Sequence, residues 1–346
     1  MLLGLIVSGF LLLLLPGLRT GNGFNIPWSP EQGYNTNKIS FNEAITRAAP
    51  SVVNIYSISY DTRSLLFRGR PTERTSLGSG VIMTEQGHIL TCLHVIQNAD
   101  YIGVVLSDGL FYEAQQVGFD QLTDLAVLQI DLTNAPVIPQ LEEPNTQVGD
   151  LVLAIGNPYN LGQTITQGIV SATGRARATN NVAGYANFIQ TDTVLNEGNS
   201  GGALVDSNGY LVGINNANYK TLDNRRRVKD VPGVFFAVPY KLAKRVMDQI
   251  IDNGRVIRGY LGVSGNDLPG QGGFEISSVT PSSPADAAGL QANDILLSVN
   301  GARLEGAAHA LELVAETEPG TTLNFEVNRR GQIFEVPVNI TELNNS

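Results

Sequence analysis

Cysteine is all but missing. Cys92 is the only one among 346 residues, which excludes a disulfide within the chain. Its place in an apolar run, two residues before His94, reads as a small buried hydrophobe rather than a nucleophile. Charge is scarce too, at 16% of residues with a net of −10, which excludes a broad nucleic-acid surface. From Met1 to Leu18 there is no charged side chain at all. A helix over that stretch would be about 27 Å long, close to the thickness of a bilayer core. No small-x-small cleavage pattern follows Pro16. Residues 1–18 therefore read as a retained membrane anchor, and the Gly-, Asn- and Pro-rich residues 19–39 as a flexible tether. Arg19 follows the span and no basic residue precedes it, so the positive-inside rule points against an inside N-terminus.

What the chain has in quantity is glycine, 37 residues, together with short apolar runs broken by Gly, Asp and Asn. That spacing predicts an all-β barrel over 78–130 and a second set of strands over 151–238. The densest motif is Asn196-Glu197-Gly198-Asn199-Ser200-Gly201-Gly202-Ala203-Leu204. A serine held between glycines ahead of an apolar run suggests a nucleophile on a tight turn, with the Gly198 and Ser200 amides converging on a developing oxyanion. A serine needs a base, and the base an orienting carboxylate. His94, where a strand passes into a turn, and Asp124, just before another strand, supply both. Taken singly, these are a core histidine, a strand-start cap and a glycine-rich turn. Taken in the order His94, Asp124, Ser200, they read as a serine protease with its site in a cleft between two barrels. The chemistry asks for no metal and no cofactor.

Four motifs carry a family resemblance: Thr91-Cys92-Leu93-His94-Val95-Ile96, Thr123-Asp124-Leu125-Ala126-Val127-Leu128, Gly156-Asn157-Pro158-Tyr159, and Gly198-Asn199-Ser200-Gly201-Gly202-Ala203-Leu204. Together they resemble the HtrA family of serine proteases, over about Ser40 to Ile340. Through Gln163-Thr164-Ile165-Thr166-Gln167-Gly168 and Val256-Ile257-Arg258-Gly259-Tyr260-Leu261-Gly262 the likeness is closest to the membrane-anchored, DegS-like branch. The resemblance implies a mainly β protein: a chymotrypsin-like double β-barrel protease domain over 40–254, then a PDZ domain over 255–342, behind an N-terminal transmembrane helix. A helix over Tyr240–Asn253 links the two domains.

In proteases of this architecture Val194 and Leu195 line the pocket for the substrate residue before the cut. With no acid there, that residue is expected to be small or medium and apolar. Ile214 and Asn215 are expected to supply the backbone edge on which the substrate adds as a strand. The PDZ loop Tyr260-Leu261-Gly262-Val263 is expected to offer its amides to the carboxylate of a C-terminal peptide. The resemblance further implies a homotrimer on the bacterial inner membrane, with catalytic and PDZ domains in the periplasm. The expected substrate is a membrane-associated regulatory protein such as an anti-sigma factor. A sensor loop over 174–184 would carry Arg175, facing an acid such as Glu312 on the PDZ helix in the inactive state. Two departures stand out: Glu197 occupies a position where that branch has histidine, and the segment 263–274 is short. Two other readings stay open, a broad quality-control protease or chaperone and an inactive peptide-binding scaffold.

Overall fold

Alternation along the strands divides each barrel wall into two apolar faces. On β6 (Leu125–Ile130), Ala126, Leu128 and Ile130 fill the interior of the first barrel, while Leu125 and Val127 point the other way. On β7 (Leu151–Gly156), Val152 and Ala154 fill the second barrel, and Leu153 and Ile155 point outward. These outward residues meet in one buried cluster, so the barrels share an apolar seam.

The structure, a computed structural model, describes residues 40–61, 72–142, 144–176, 186–222, 228–268 and 272–343. A short helix α1 (Asn42–Ala48) leads into the first barrel. This comprises β1 (Val52–Asp61), β2 (Thr72–Ile82), β3 (His88–Cys92), β4 (Tyr101–Val105), β5 (Phe111–Asp120) and β6, closed in the order β1-β2-β3-β6-β5-β4. Helix α2 (Leu93–Ile96) follows β3 directly. The second barrel holds β7, β8 (Thr164–Ala176), β9 (Ala186–Thr191), β10 (Ala203–Asp206), β11 (Leu211–Leu222) and β12 (Val228–Pro239), in the order β10-β11-β12-β9-β8-β7.

Helix α3 (Tyr240–Asn253) lays Leu242, Val246 and Ile250 onto the seam and stops at Gly254, whose φ of 72° lets its N–H return to the Ile250 carbonyl at 2.8 Å. After it the chain enters a separate sheet. β14 (Val263–Asp267), β15 (Phe274–Val279), β16 (Ile295–Val299), β18 (Thr322–Arg329) and β19 (Gln332–Asn339) pair in that order, and β17 (Ala302–Arg303) pairs with β16. β13 (Gly259–Tyr260) pairs with β20 (Thr341–Glu342), while α4 (Pro284–Ala287) and α5 (Ala307–Glu316) complete the unit. β14 stands at one end of this sheet, with a strand partner on one side among the described residues.

Among the described residues no helix is long and apolar enough to cross a membrane. The expected anchor over 1–18 and the tether over 19–39 lie outside the described residues, as do 177–184 of the sensor loop.

In the C-terminal sheet, buried Asp294 takes Arg329 Nε and Nη2 on its two oxygens, each at 2.7 Å. Burial opposes the charge of Asp294, yet the Arg329 guanidinium and the Gln291 amide outweigh it and hold the carboxyl below its usual value. A carboxyl depressed by folding contributes stability above its unfolded value and loses that contribution as pH falls through its folded value. The denaturation midpoint of this unit is therefore expected to drop as pH falls through and below about 4. Asp294→Asn is expected to be less stable at neutral pH and to show a flatter acid limb in urea titrations.

Candidate active site

Helix α2 sets the histidine. Leu93, Val95 and Ile96 are buried in or against the first barrel, which leaves the His94 side chain facing outward and 42% exposed. Its ring Nδ1 lies 2.7 Å from Asp124 Oδ2, and its backbone N–H donates to Asp124 Oδ1 at 3.0 Å. With the carboxylate accepting, the proton resides on Nδ1 and the Nε2 lone pair is left for another partner. Asp124 has a φ of 57°, an unfavourable conformation for a side chain other than glycine. Its carbonyl is held there by the Leu93 N–H at 2.8 Å.

The strand edge across the seam completes the corner. Asn216, buried at a bulge of β11, donates from Nδ2 to Asp124 Oδ2 at 3.2 Å. Its carbonyl accepts the Ser200 hydroxyl at 2.7 Å. The structure thus brings His94, Asp124 and Ser200 to one corner of the barrel seam, with the hydroxyl turned to the Asn216 carbonyl rather than to His94.

The loop around Ser200 is fixed by backbone bonds that only glycine permits. Gly201 has a φ of 84°, and a Cβ there would lie 2.2 Å from the Ser79 carbonyl oxygen. Gly198 has a φ of 100°, and a Cβ would meet the Asn157 carbonyl oxygen at 2.5 Å. The Glu197 carbonyl accepts the Tyr159 N–H at 3.0 Å. Because the peptide is planar and trans, the Gly198 N–H must point the opposite way. Among the described residues neither the Gly198 nor the Ser200 amide donates to a protein acceptor. Ser79 secures this arrangement, donating to the Gly198 carbonyl at 2.7 Å and accepting the Asn157 N–H at 2.9 Å. The exposed Glu197 side chain sits outside this network.

The other expected positions fare unevenly. Val194 is at the surface, 50% exposed. Leu195, in the loop after β9, is instead buried with Val152 and Ile189 inside the second barrel, and Ile214 of β11 turns into the seam cluster. The Asn215 N–H and carbonyl are taken by Gly202 and Gly201 at 2.8 and 2.7 Å. Neither backbone group of Asn215 is therefore open to an added strand. Cys92 is fully buried, its Sγ donating to the Asn215 carbonyl at 3.3 Å.

In the C-terminal unit, the Leu261 and Gly262 carbonyls are tied inward by the Ala285 and Thr280 N–H groups, both at 2.9 Å. Peptide planarity then turns the Gly262 N–H outward, beside the start of β14. Leu261 is buried, Tyr260 and Val263 half-buried. Gly262 is required there, since a Cβ would lie 2.2 Å from Ser283 Cβ.

Two ion pairs that sequence reasoning missed join this unit to the barrels. Arg258, two residues before Tyr260, makes a two-point contact with Asp120 of β5 at 2.7 and 2.7 Å. Asp120 also accepts the Thr123 N–H at 3.0 Å, immediately before Asp124. On α5, Glu316 pairs with Arg245 of α3. The Arg175 side chain lies outside the described residues, so its expected meeting with Glu312 does not enter this network. The Gly78-Ser79-Gly80 repeat was a readable signal for Ser79, because both glycines sit where a Cβ would strike Val95 or Ile89. Nothing in the sequence marks a partner for Arg258 that lies 138 positions away.

Known proteins agree with this architecture. Residues 78–214 match the trypsin-like peptidase domain family, and residues 259–340 the PDZ domain family. The chain is 44% identical over 352 residues to the serine endoprotease DegS of Salmonella typhimurium, covering 98% of this chain and 96% of that protein. It is likewise 44% identical to serine endoprotease DegS of Escherichia coli K12, over the same shares of each chain. Among solved structures, the serine endoprotease from Yersinia pestis superposes with a TM-score of 0.66 at 46% identity, over 88% of this chain and 98% of that one. The HtrA-type protease AlgW with tripeptide gives a TM-score of 0.75 at 39% identity, over 89% and 98%. Two closed barrels meeting at a serine, a histidine and an aspartate, followed by a PDZ domain, thus have full-length counterparts: the chain belongs to the HtrA family of serine endopeptidases, in its DegS-like branch.

Proposed function

We propose that this chain is a membrane-anchored periplasmic endopeptidase switched by C-terminal peptides. It has a protease domain over 40–254 and a PDZ domain over 255–342. His94 Nε2 takes the Ser200 proton as Oγ attacks the substrate carbonyl, and later returns it to the leaving amine. Asp124 holds the imidazole tautomer, and the Gly198 and Ser200 amides stabilise the tetrahedral oxyanion. Val194, at the surface beside the Ser200 loop, favours small or medium apolar residues before the cut. The peptide adds to the open side of β14, with its carboxylate at the amides of Tyr260-Leu261-Gly262-Val263. The anchor is residues 1–18, the assembly a homotrimer, and the substrate a membrane-associated regulatory protein, such as an anti-sigma factor in envelope stress signalling.

The observation that carries this reading is the Arg258–Asp120 contact. It ties the base of the peptide-carboxylate loop to the turn that holds Asp124, so a peptide bound at one end has a rigid path to the other. A specific observation favours a second reading. The Gly198 amide already faces away from the Glu197 carbonyl's bond to Tyr159, the orientation an oxyanion would use. That suits a constitutively active quality-control protease.

Fluorophosphonate labelling of Ser200 in the full-length chain in detergent micelles separates the two, with and without a library of C-terminal peptides. Labelling that rises with particular peptides supports the switch. Strong labelling that no peptide alters rejects the switch and favours quality control.

A further inference from the structure

The corner behind the His94–Asp124 pair holds a third donor that the peptidase chemistry leaves unused. Cys92 Sγ, a ring nitrogen of His94 and a carboxylate oxygen of Asp124 all lie within 4.8 Å of one another. Tetrahedral zinc binds thiolate at about 2.3 Å and nitrogen or carboxylate oxygen at about 2.0–2.2 Å. Two donors on a tetrahedral ion with those bond lengths are about 3.4–3.6 Å apart, so the three atoms can share a cation once side-chain rotations draw in the thiol and part His94 Nδ1 from Asp124 Oδ2, now 2.7 Å apart. The thiol selects the class of metal: soft or borderline ions such as zinc and cadmium bind thiolate and imidazole, whereas magnesium and calcium prefer all-oxygen sites.

We propose that Cys92 Sγ, His94 Nδ1 and an Asp124 carboxylate oxygen form an inhibitory site for a thiophilic divalent cation, with a fourth position open to water. The charges balance, because one dication meets one thiolate and one carboxylate. Binding expels the thiol proton to solvent. It also displaces the proton on His94 Nδ1, which moves to Nε2, since a neutral imidazole metallated at one nitrogen carries its proton on the other. Nε2 then has no lone pair for the Ser200 hydroxyl, and the nucleophile loses its base. The cation competes with the Asn216 side-chain amide, which reaches both Cys92 Sγ at 3.6 Å and Asp124 Oδ2 at 3.2 Å. Inhibition rests on the peptidase roles assigned to His94 and Ser200; metal binding does not.

The test titrates cadmium into the chelator-stripped full-length chain. It follows the thiolate-to-cadmium charge-transfer absorption and the fluorophosphonate labelling of Ser200 in parallel. The chain has one cysteine, so any such band reports Cys92. The expected result is one thiolate–cadmium band per chain and at least about a tenfold fall in labelling, with no effect of magnesium. Cys92→Ser and Cys92→Ala are expected to lack the band and to need at least about tenfold more cadmium for the same inhibition. Absence of the band in the wild type overturns the site, as does equal inhibition of both variants. A band with undiminished labelling overturns the inhibitory role. Labelling without metal reads the roles of Ser200 and His94 separately, so a failure of that reading is distinguishable from a failure of the metal site.

Discussion

Ser200→Ala is expected to lower peptide hydrolysis by at least about 10⁴-fold while leaving the fold intact. The size follows from the chemistry: without Oγ there is no acyl-enzyme, and His94 and the two amides can assist only a water attack. The intact fold follows from what the hydroxyl touches, a single hydrogen bond to the Asn216 carbonyl at 2.7 Å. The loop's geometry rests on its backbone instead: the Ser200 carbonyl accepts the Ser79 N–H at 2.9 Å, and the Gly201 N–H donates to Asn215 at 2.7 Å. Alanine retains every one of these bonds. Peptide hydrolysis measured beside urea unfolding checks both halves, and residual turnover within tenfold of the wild type would remove Ser200 from the role of nucleophile.

Arg258→Ala is expected to destabilise the folded chain by about 3–5 kcal/mol, among the largest costs of any single substitution here. Both side chains are nearly out of solvent, at 6% for Arg258 and 4% for Asp120. Removing the guanidinium leaves the Asp120 carboxylate buried with only the Thr123 groups as donors. The double variant Arg258→Met with Asp120→Leu removes both charges and is expected to recover much of the loss, because the penalty comes mainly from the stranded charge. Activity is expected to fall in Arg258→Ala as well, since Asp120 orders the turn that keeps Asp124 at its positive φ. Guanidinium unfolding at constant m-value, followed by two probes, measures the cost. A loss below about 1 kcal/mol would mean that water reaches the pair and that the two units are joined chiefly by apolar contact.

Much of the fold is legible in residue order because the signals are local. The run from Leu125 to Ile130 alternates between two buried faces, and Tyr240 to Asn253 repeats its apolar positions at helical spacing before a glycine stop. The apolar residues of the Ser200 region were harder to read. Val194 and Leu195 lie in the loop after β9, with no strand pairing to mark a face, and only the packing sends Leu195 into the second barrel and leaves Val194 outside. The same limit applies at Asn215 and Asn216, where a bulge in β11 turns the second, not the first, toward the serine.

By itself the sequence determined that this is a two-barrel serine endopeptidase with a PDZ unit, and which histidine, aspartate and serine to examine. Short motifs suffice for this, because a glycine-bounded serine and residues at strand ends carry their geometry with them. Only the tertiary structure decided which distant groups meet: Asn216 between Asp124 and Ser200, Ser79 under the Gly198 carbonyl, Cys92 on the Asn215 carbonyl, and Arg258 on Asp120. Most of these contacts join groups across the barrel seam or between the barrels and the C-terminal sheet. No local pattern specifies such a pairing, since it depends on closing both barrels and packing them against each other and against the C-terminal sheet.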